Sequence, residues 1–183
     1  MKNTKEKIKA QLLQNRIIAQ NCNESRELLK KGIGTQINDS IEYSFLETAY
    51  LNQKEQLLLL DKNKKNLTFQ EILKLFSKKD SSFRDEYIVY KDLTEKNYIV
   101  KSGLKFGAPF RVYDKNNISK INKDENNAHS KWLVFPQNTK KKLDIYGFFG
   151  KNRIAHSTKK NVVFAFVDQE GKVSYYQTQW LKV

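Results

Sequence analysis

Apolar positions in this chain fall into short runs separated by polar, lysine-rich stretches, and the period of each run predicts its element. Residues 9–21 alternate loosely around Leu12, Leu13, Ile17 and Ile18, which predicts a short hairpin. Ser44 with Glu47 three residues later makes a capping-box signature ahead of Phe45, Leu46, Ala49 and Tyr50, so a helix is expected there. Leu57–Leu60 is a bare apolar run, too short for a helix, and reads as a strand. A second capping box, Thr68 with Glu71, opens a helix through Ile72, Leu73, Leu75 and Phe76. Lys78, Lys79, Asp80, Ser81 and Ser82 interrupt that pattern, and Phe83, Tyr87, Tyr90 and Leu93 resume it at helical spacing.

The interruption predicts a boundary near Ser81. A small mixed α/β unit is expected over residues 1–81 and a strand-rich unit over residues 82–183. In the latter, residues 98–101, 109–113, 131–135, 161–167 and 172–181 have β-type composition. Val162 to Val167 is apolar on both faces, as a central strand covered on both sides would be. Asp168, Gln169, Glu170 and Gly171 form a turn, so the last two strands should make a hairpin. Residues 116–127 are polar and rich in Asn and Lys, and read as an exposed loop.

With 183 residues, 39% of them hydrophobic and 12% aromatic, the chain can bury one sizeable core or two small ones. The formal charge of +14 points to a polyanionic partner, and nucleic acid fits it better than an anionic membrane. No stretch approaches the ~18 apolar residues of a spanning helix. The lysine-rich start lacks the apolar core of a signal peptide. Cys22 is the only cysteine, which rules out an internal disulfide or a cysteine-based metal cage and fits a reducing cytoplasm.

Candidate chemistry lies at the ends of the strand-like runs. Tyr113 closes one, His129 precedes the next, and Lys159 and Lys160 precede a third. These three side-chain types suffice to cut RNA without a metal, because the nucleophile is the RNA's own 2′-hydroxyl. The protein must take that proton, give one to the departing 5′-oxygen and neutralise the charge that grows on phosphorus. A histidine titrates near neutrality and suits the acid. A tyrosine, with a free pKa of about 10, needs nearby cations to serve as base. Each residue also has an ordinary reading: a strand aromatic, a histidine at a loop edge, and a solvated lysine pair.

Three segments, GLKFGAPFRVYDK (residues 103–115), HSKWLVF from His129, and RIAHSTKKNVVFAFVD (residues 153–168), resemble the archaeal-type tRNA-splicing endonuclease family, or tRNA-intron lyases. YIVYKDLTEKNYIVKSG (residues 87–103) is also similar, and SFLETAYL and LTFQEILKLF resemble the family's smaller domain more loosely. The resemblance implies an α+β protein, with a small N-terminal mixed α/β domain. A C-terminal nuclease domain would follow, with a central mixed β-sheet flanked by helices. It assigns the general base to Tyr113, the general acid to His129 and the charge-stabilising lysine to Lys160, with no metal and no cofactor. His156 is left as a structural histidine. The implied substrate is a precursor tRNA folded as a bulge-helix-bulge. The implied products carry 2′,3′-cyclic phosphate and 5′-hydroxyl ends.

The resemblance also matches Arg153 to a side chain that clamps a flipped bulge base in a neighbouring subunit's site, with Tyr175 a candidate for the second clamp. It matches residues 140–149 to an acidic loop that docks into a neighbour. That segment has one acid, Asp144, beside three lysines, which leaves both a homotetramer and a heteromeric tetramer open. The C-terminal strand with Val173, Tyr175, Tyr176 and Trp180 matches the family's dimer seam. Two rivals stand beside this reading. Asp168, Glu170 and Lys172 superficially resemble a metal-dependent nuclease site, and a non-catalytic RNA-binding or structural subunit would share the charge.

Overall fold

The computed structural model describes residues 6–114 and 129–179. The chain divides into two compact units, Met1–Tyr87 and Ile88–Val183. The first is built on a six-stranded sheet. β1 (Ile8–Leu13) and β2 (Arg16–Gln20) form the expected antiparallel hairpin. After α1 (Asn23–Lys30), β3 (Thr35–Ile37) and β4 (Ser40–Tyr43) extend the sheet beside β2. After α2 (Phe45–Gln53), β5 (Leu57–Leu60) pairs parallel to β1, and β6 (Asn66–Leu67) closes the other edge before α3 (Phe69–Lys79). The strand order is β3-β4-β2-β1-β5-β6.

Both capping boxes form. Ser44 Oγ accepts the Glu47 N–H at 3.2 Å, and Glu47 Oε2 accepts the Ser44 N–H at 2.8 Å. Glu47 is buried, and its second oxygen accepts the Gly34 N–H at 2.8 Å. A side chain at Gly34 would bring its Cβ to 2.9 Å from Ile41 and Tyr43 at a φ of +87°, so glycine alone fits this approach. Ile17, Ile41, Leu57 and Leu59 from the sheet pack with Leu51, Ile72 and Phe76 from the helices to make the core of this unit.

α4 (Phe83–Glu95) runs across the division between the units. The second unit then forms a five-stranded sheet from β7 (Ile99–Ser102), β8 (Phe110–Tyr113), β9 (Trp132–Asn138), β10 (Asn161–Val167) and β11 (Val173–Thr178), in the order β11-β10-β9-β8-β7. β10 lies inside the sheet, parallel to β9 and antiparallel to β11, and is buried over most of its length, as its unbroken apolar run predicts. α5 (Ile145–Ser157) connects β9 to β10 and packs Phe148 and Ala155 on one sheet face with Leu133, Phe135, Val162 and Phe164. In α4, Tyr90 meets Phe110, which the pleat places on the opposite face. The sheet is therefore mixed and helix-flanked, as the family resemblance implies.

The β10–β11 hairpin turns where expected, with Asp168 Oδ1 accepting the N–H groups of Glu170 and Lys172. The predicted loop at residues 116–127 and Trp180 of the last strand lie outside the described residues. The segment matched to a docking loop is helical from Ile145 onward, and Asp144 is the N-cap of α5, accepting the Tyr146 N–H at 3.1 Å. Among the described residues no helix is long and apolar enough to cross a membrane.

Candidate active site

Sheet order and strand direction bring three element ends together. β8 runs antiparallel to β9, so the last residue of β8, Tyr113, lies beside the entry to β9. β10 runs parallel to β9, so its entry, just after Lys160, lies beside the same point. Backbone hydrogen bonds extend the ladder across this edge, with the Lys131 N–H donating to Val112 O and the Asn161 N–H to Lys131 O, both at 3.1 Å. His129 and Ser130 lead directly into that junction. A side-chain bond closes it, because the Lys160 ammonium donates to the Ser130 carbonyl at 3.2 Å.

The residues meet this edge in different states. Tyr113 is fully buried, and the Arg111 guanidinium lies 5.8 Å from its ring centroid. These two residues alternate along β8 and so share a face. Ser130 is buried while His129 is exposed. Lys160 is half-buried, with its ammonium 5.0 Å from the centroid of the Phe106 ring. Burial pulls the Lys160 ammonium below the usual lysine range, and the positive charge of Arg111 adds to that shift.

Local backbone features separate the two adjacent lysines. α5 ends at Ser157, and Lys159 takes a left-handed φ of 54°, which turns the chain into β10. Lys159 is left exposed, while Lys160 reaches inward to Ser130. The platform under Lys160 depends on a tight turn. A Cβ at Gly103 would lie 2.7 Å from the Ala108 carbonyl oxygen, so only glycine allows the close pass that presents Phe106.

The remaining sequence candidates stand apart from the junction of β8 and β9. Arg153 is exposed on α5. His156 lies on the same helix and lines a hollow of about 220 Å³ with Asn152, Lys160, Asn161 and Thr178. Tyr175 is anchored, since its hydroxyl donates to Asp92 Oδ2 at 2.6 Å and the Lys96 ammonium lies 5.1 Å from its ring centroid. Burial and then the Asp92 carboxylate push its phenol far above the ordinary tyrosine range. Among the described residues no three of His, Cys, Asp and Glu gather as a metal-binding group. In the hairpin turn, Asp168 holds the backbone and Glu170 pairs with Lys172 at 2.7 Å.

Sequence reasoning did not single out Arg111 or Ser130. The alternation of Arg111 and Tyr113 in FRVY was the available signal for the first, because a strand places such residues on one face. Nothing in the sequence marks Ser130, whose backbone carbonyl makes the contact.

Two family models match the chain in series. Residues 8–73 match the N-terminal domain of the tRNA intron endonucleases, and residues 83–175 match their catalytic C-terminal domain. The chain belongs to the tRNA intron endonuclease family. A tRNA-splicing endonuclease of Pyrococcus abyssi is 40% identical over 152 residues, covering 83% of each chain. One of Methanococcus maripaludis is 34% identical over 183 residues, covering 100% of this chain and 99% of the relative. The edge formed by Tyr113, His129 and Lys160 lies entirely within the part that matches the family's catalytic domain.

Proposed function

We propose that this chain is a metal-independent tRNA-splicing endoribonuclease that cuts precursor tRNA at both intron boundaries of a bulge-helix-bulge. The observation that carries the reading is the meeting of three strand ends, with Lys160 bonded to the carbonyl next to His129. In the proposed reaction the Tyr113 hydroxyl, buried in this structure, is uncovered when the precursor binds and, as phenolate, takes the proton from the ribose 2′-hydroxyl. The 2′-oxygen forms a bond to phosphorus as the bond from phosphorus to the 5′-oxygen breaks. His129, as imidazolium, protonates that leaving oxygen, giving a 2′,3′-cyclic phosphate and a 5′-hydroxyl. Lys160 stabilises the charge that develops on the phosphoryl oxygens, and Arg111 adds a second positive charge on the same side.

The charge distribution supports an RNA substrate. Residues 88–183 hold 18 Lys and Arg against 8 Asp and Glu, whereas residues 1–87 hold 16 against 12. The excess is thus concentrated in the unit that carries the candidate site. Assembly as a homo- or heteromeric tetramer belongs to the same proposal. Tyr146 (89% exposed) and Phe149 (60%) on α5, with Tyr176 (59%) on β11, give it apolar surface to cover. Arg153 would contact RNA held in a neighbouring subunit, and Asp144 would sit in the docking segment while capping α5.

The direct test is to give purified protein, alone and with any co-purifying partner, a precursor tRNA and its intronless counterpart. The precursor should be cut at both boundaries and the counterpart left intact. Binding of the precursor with no cut under any of these conditions would make the chain a non-catalytic subunit and overturn the proposal.

A further inference from the structure

The N-terminal unit carries a groove of about 480 Å³ between α3 and the start of α4, lined by Gln70, Leu73, Lys74, Ser77, Lys78 and Arg84. Three of these six residues are cations and none is an acid. Lys74 and Lys78 stand one helical turn apart, an i,i+4 pair of like charges that weakens the helix when left alone. Other lysines around α3 are engaged. Lys79 donates to Gln14 O and Asn15 Oδ1 at 3.0 and 2.6 Å, and Lys65 pairs with Glu71 at 2.9 Å. The side chains of Lys74, Lys78 and Arg84 make neither a hydrogen bond nor an ion pair among the described residues. Carboxylates are close in sequence but turned to other work, since Asp80 accepts the Ser82 N–H at 2.8 Å and the carboxylates of Asp80 and Glu86 both lie 2.8 Å from the Ser82 hydroxyl.

An unneutralised set of cations around a polar hollow, with the Gln70 amide and Ser77 hydroxyl beside it, matches a run of phosphates. We propose that this groove binds the sugar-phosphate backbone of the precursor tRNA outside the bulge-helix-bulge. The proposal rests on the reading of the chain as a tRNA-splicing endonuclease. The groove adds affinity for long substrates and takes no part in the chemistry, so it lowers KM and leaves kcat unchanged.

The test compares a triple variant, Lys74→Gln with Lys78→Gln and Arg84→Gln, against a control triple, Lys31→Gln with Lys62→Gln and Lys64→Gln. Both sets change exposed residues of the same unit and remove the same charge, and the control residues do not line the groove. For full-length precursor tRNA the groove variant should raise Kd and KM about tenfold. It should also flatten the plot of log K against log salt by roughly 2 to 3, about 0.9 per lost phosphate contact. The control should move far less. Cleavage of a minimal bulge-helix-bulge helix should be equal in all three proteins. A groove variant indistinguishable from the control on full-length precursor overturns the inference. Failure of the wild type to cut even the minimal helix would instead count against the endonuclease reading.

Discussion

Replacing His129 with alanine is expected to slow cleavage of precursor tRNA by about 10²–10⁴-fold, the usual loss when a positioned proton donor is removed. His129 is exposed at the entry to β9, so the change empties no core volume, and the melting temperature should stay within about a degree. Binding of the uncut precursor should change less than about twofold. Parallel losses of binding and cleavage would place His129 in RNA recognition, and an unchanged rate would remove it from the mechanism.

Tyr113→Phe separates the role of the ring from that of the hydroxyl. The ring fills a fully buried position, and phenylalanine preserves almost all of that volume. Were Tyr113 only a core aromatic, the variant would cut RNA as the wild type does. If the phenol oxygen accepts the 2′-hydroxyl proton, kcat falls by about 10²–10⁴-fold in a protein that melts and binds normally. Because base and acid act in one step, combining Tyr113→Phe with His129→Ala should cost little more than the worse single change. Single-turnover cleavage of the same precursor by all three variants reads this out. Strictly multiplicative losses would mean that the two residues do not act together.

Much of the scaffold around this site was legible along the chain. The capping boxes at Ser44 and Thr68 worked as signals because a hydroxyl and a carboxylate three residues apart satisfy each other's backbone donors. β10 was legible because a strand buried on both faces has no polar alternation to break it. α5 escaped notice for the opposite reason. Gly147 and Gly150 weaken its helical signal, and Ile145, Tyr146 and Phe149 are apolar yet exposed, so no clean stripe marks an inner face. What holds it is the Asp144 cap at its start and, outside any local window, the stack of Phe148 on Phe164, 5.1 Å between centroids. β3 and β4 are short, and pairing beside β2 defines them more than composition does.

The site divides in the same way. Tyr113, His129 and Lys160 could each be placed at the end of an apolar run, but no run states which ends adjoin. That depends on β8 opposing β9 while β10 follows it, a non-local choice of sheet order and direction. The choice between Lys159 and Lys160 was likewise hidden, because it turns on one left-handed residue at the exit of α5. The family resemblance suggests the roles, and the sheet brings the three element ends to one edge.

The central claim is that protein side chains alone run the reaction at the meeting of three strand ends. It is tested most directly by incubating a bulge-helix-bulge precursor tRNA with the purified protein in excess EDTA and analysing the ends produced. The prediction is undiminished cleavage at both intron boundaries, leaving 2′,3′-cyclic phosphate and 5′-hydroxyl termini. Cleavage that stops in EDTA and returns with a divalent metal, or products bearing 5′-phosphates, would contradict it.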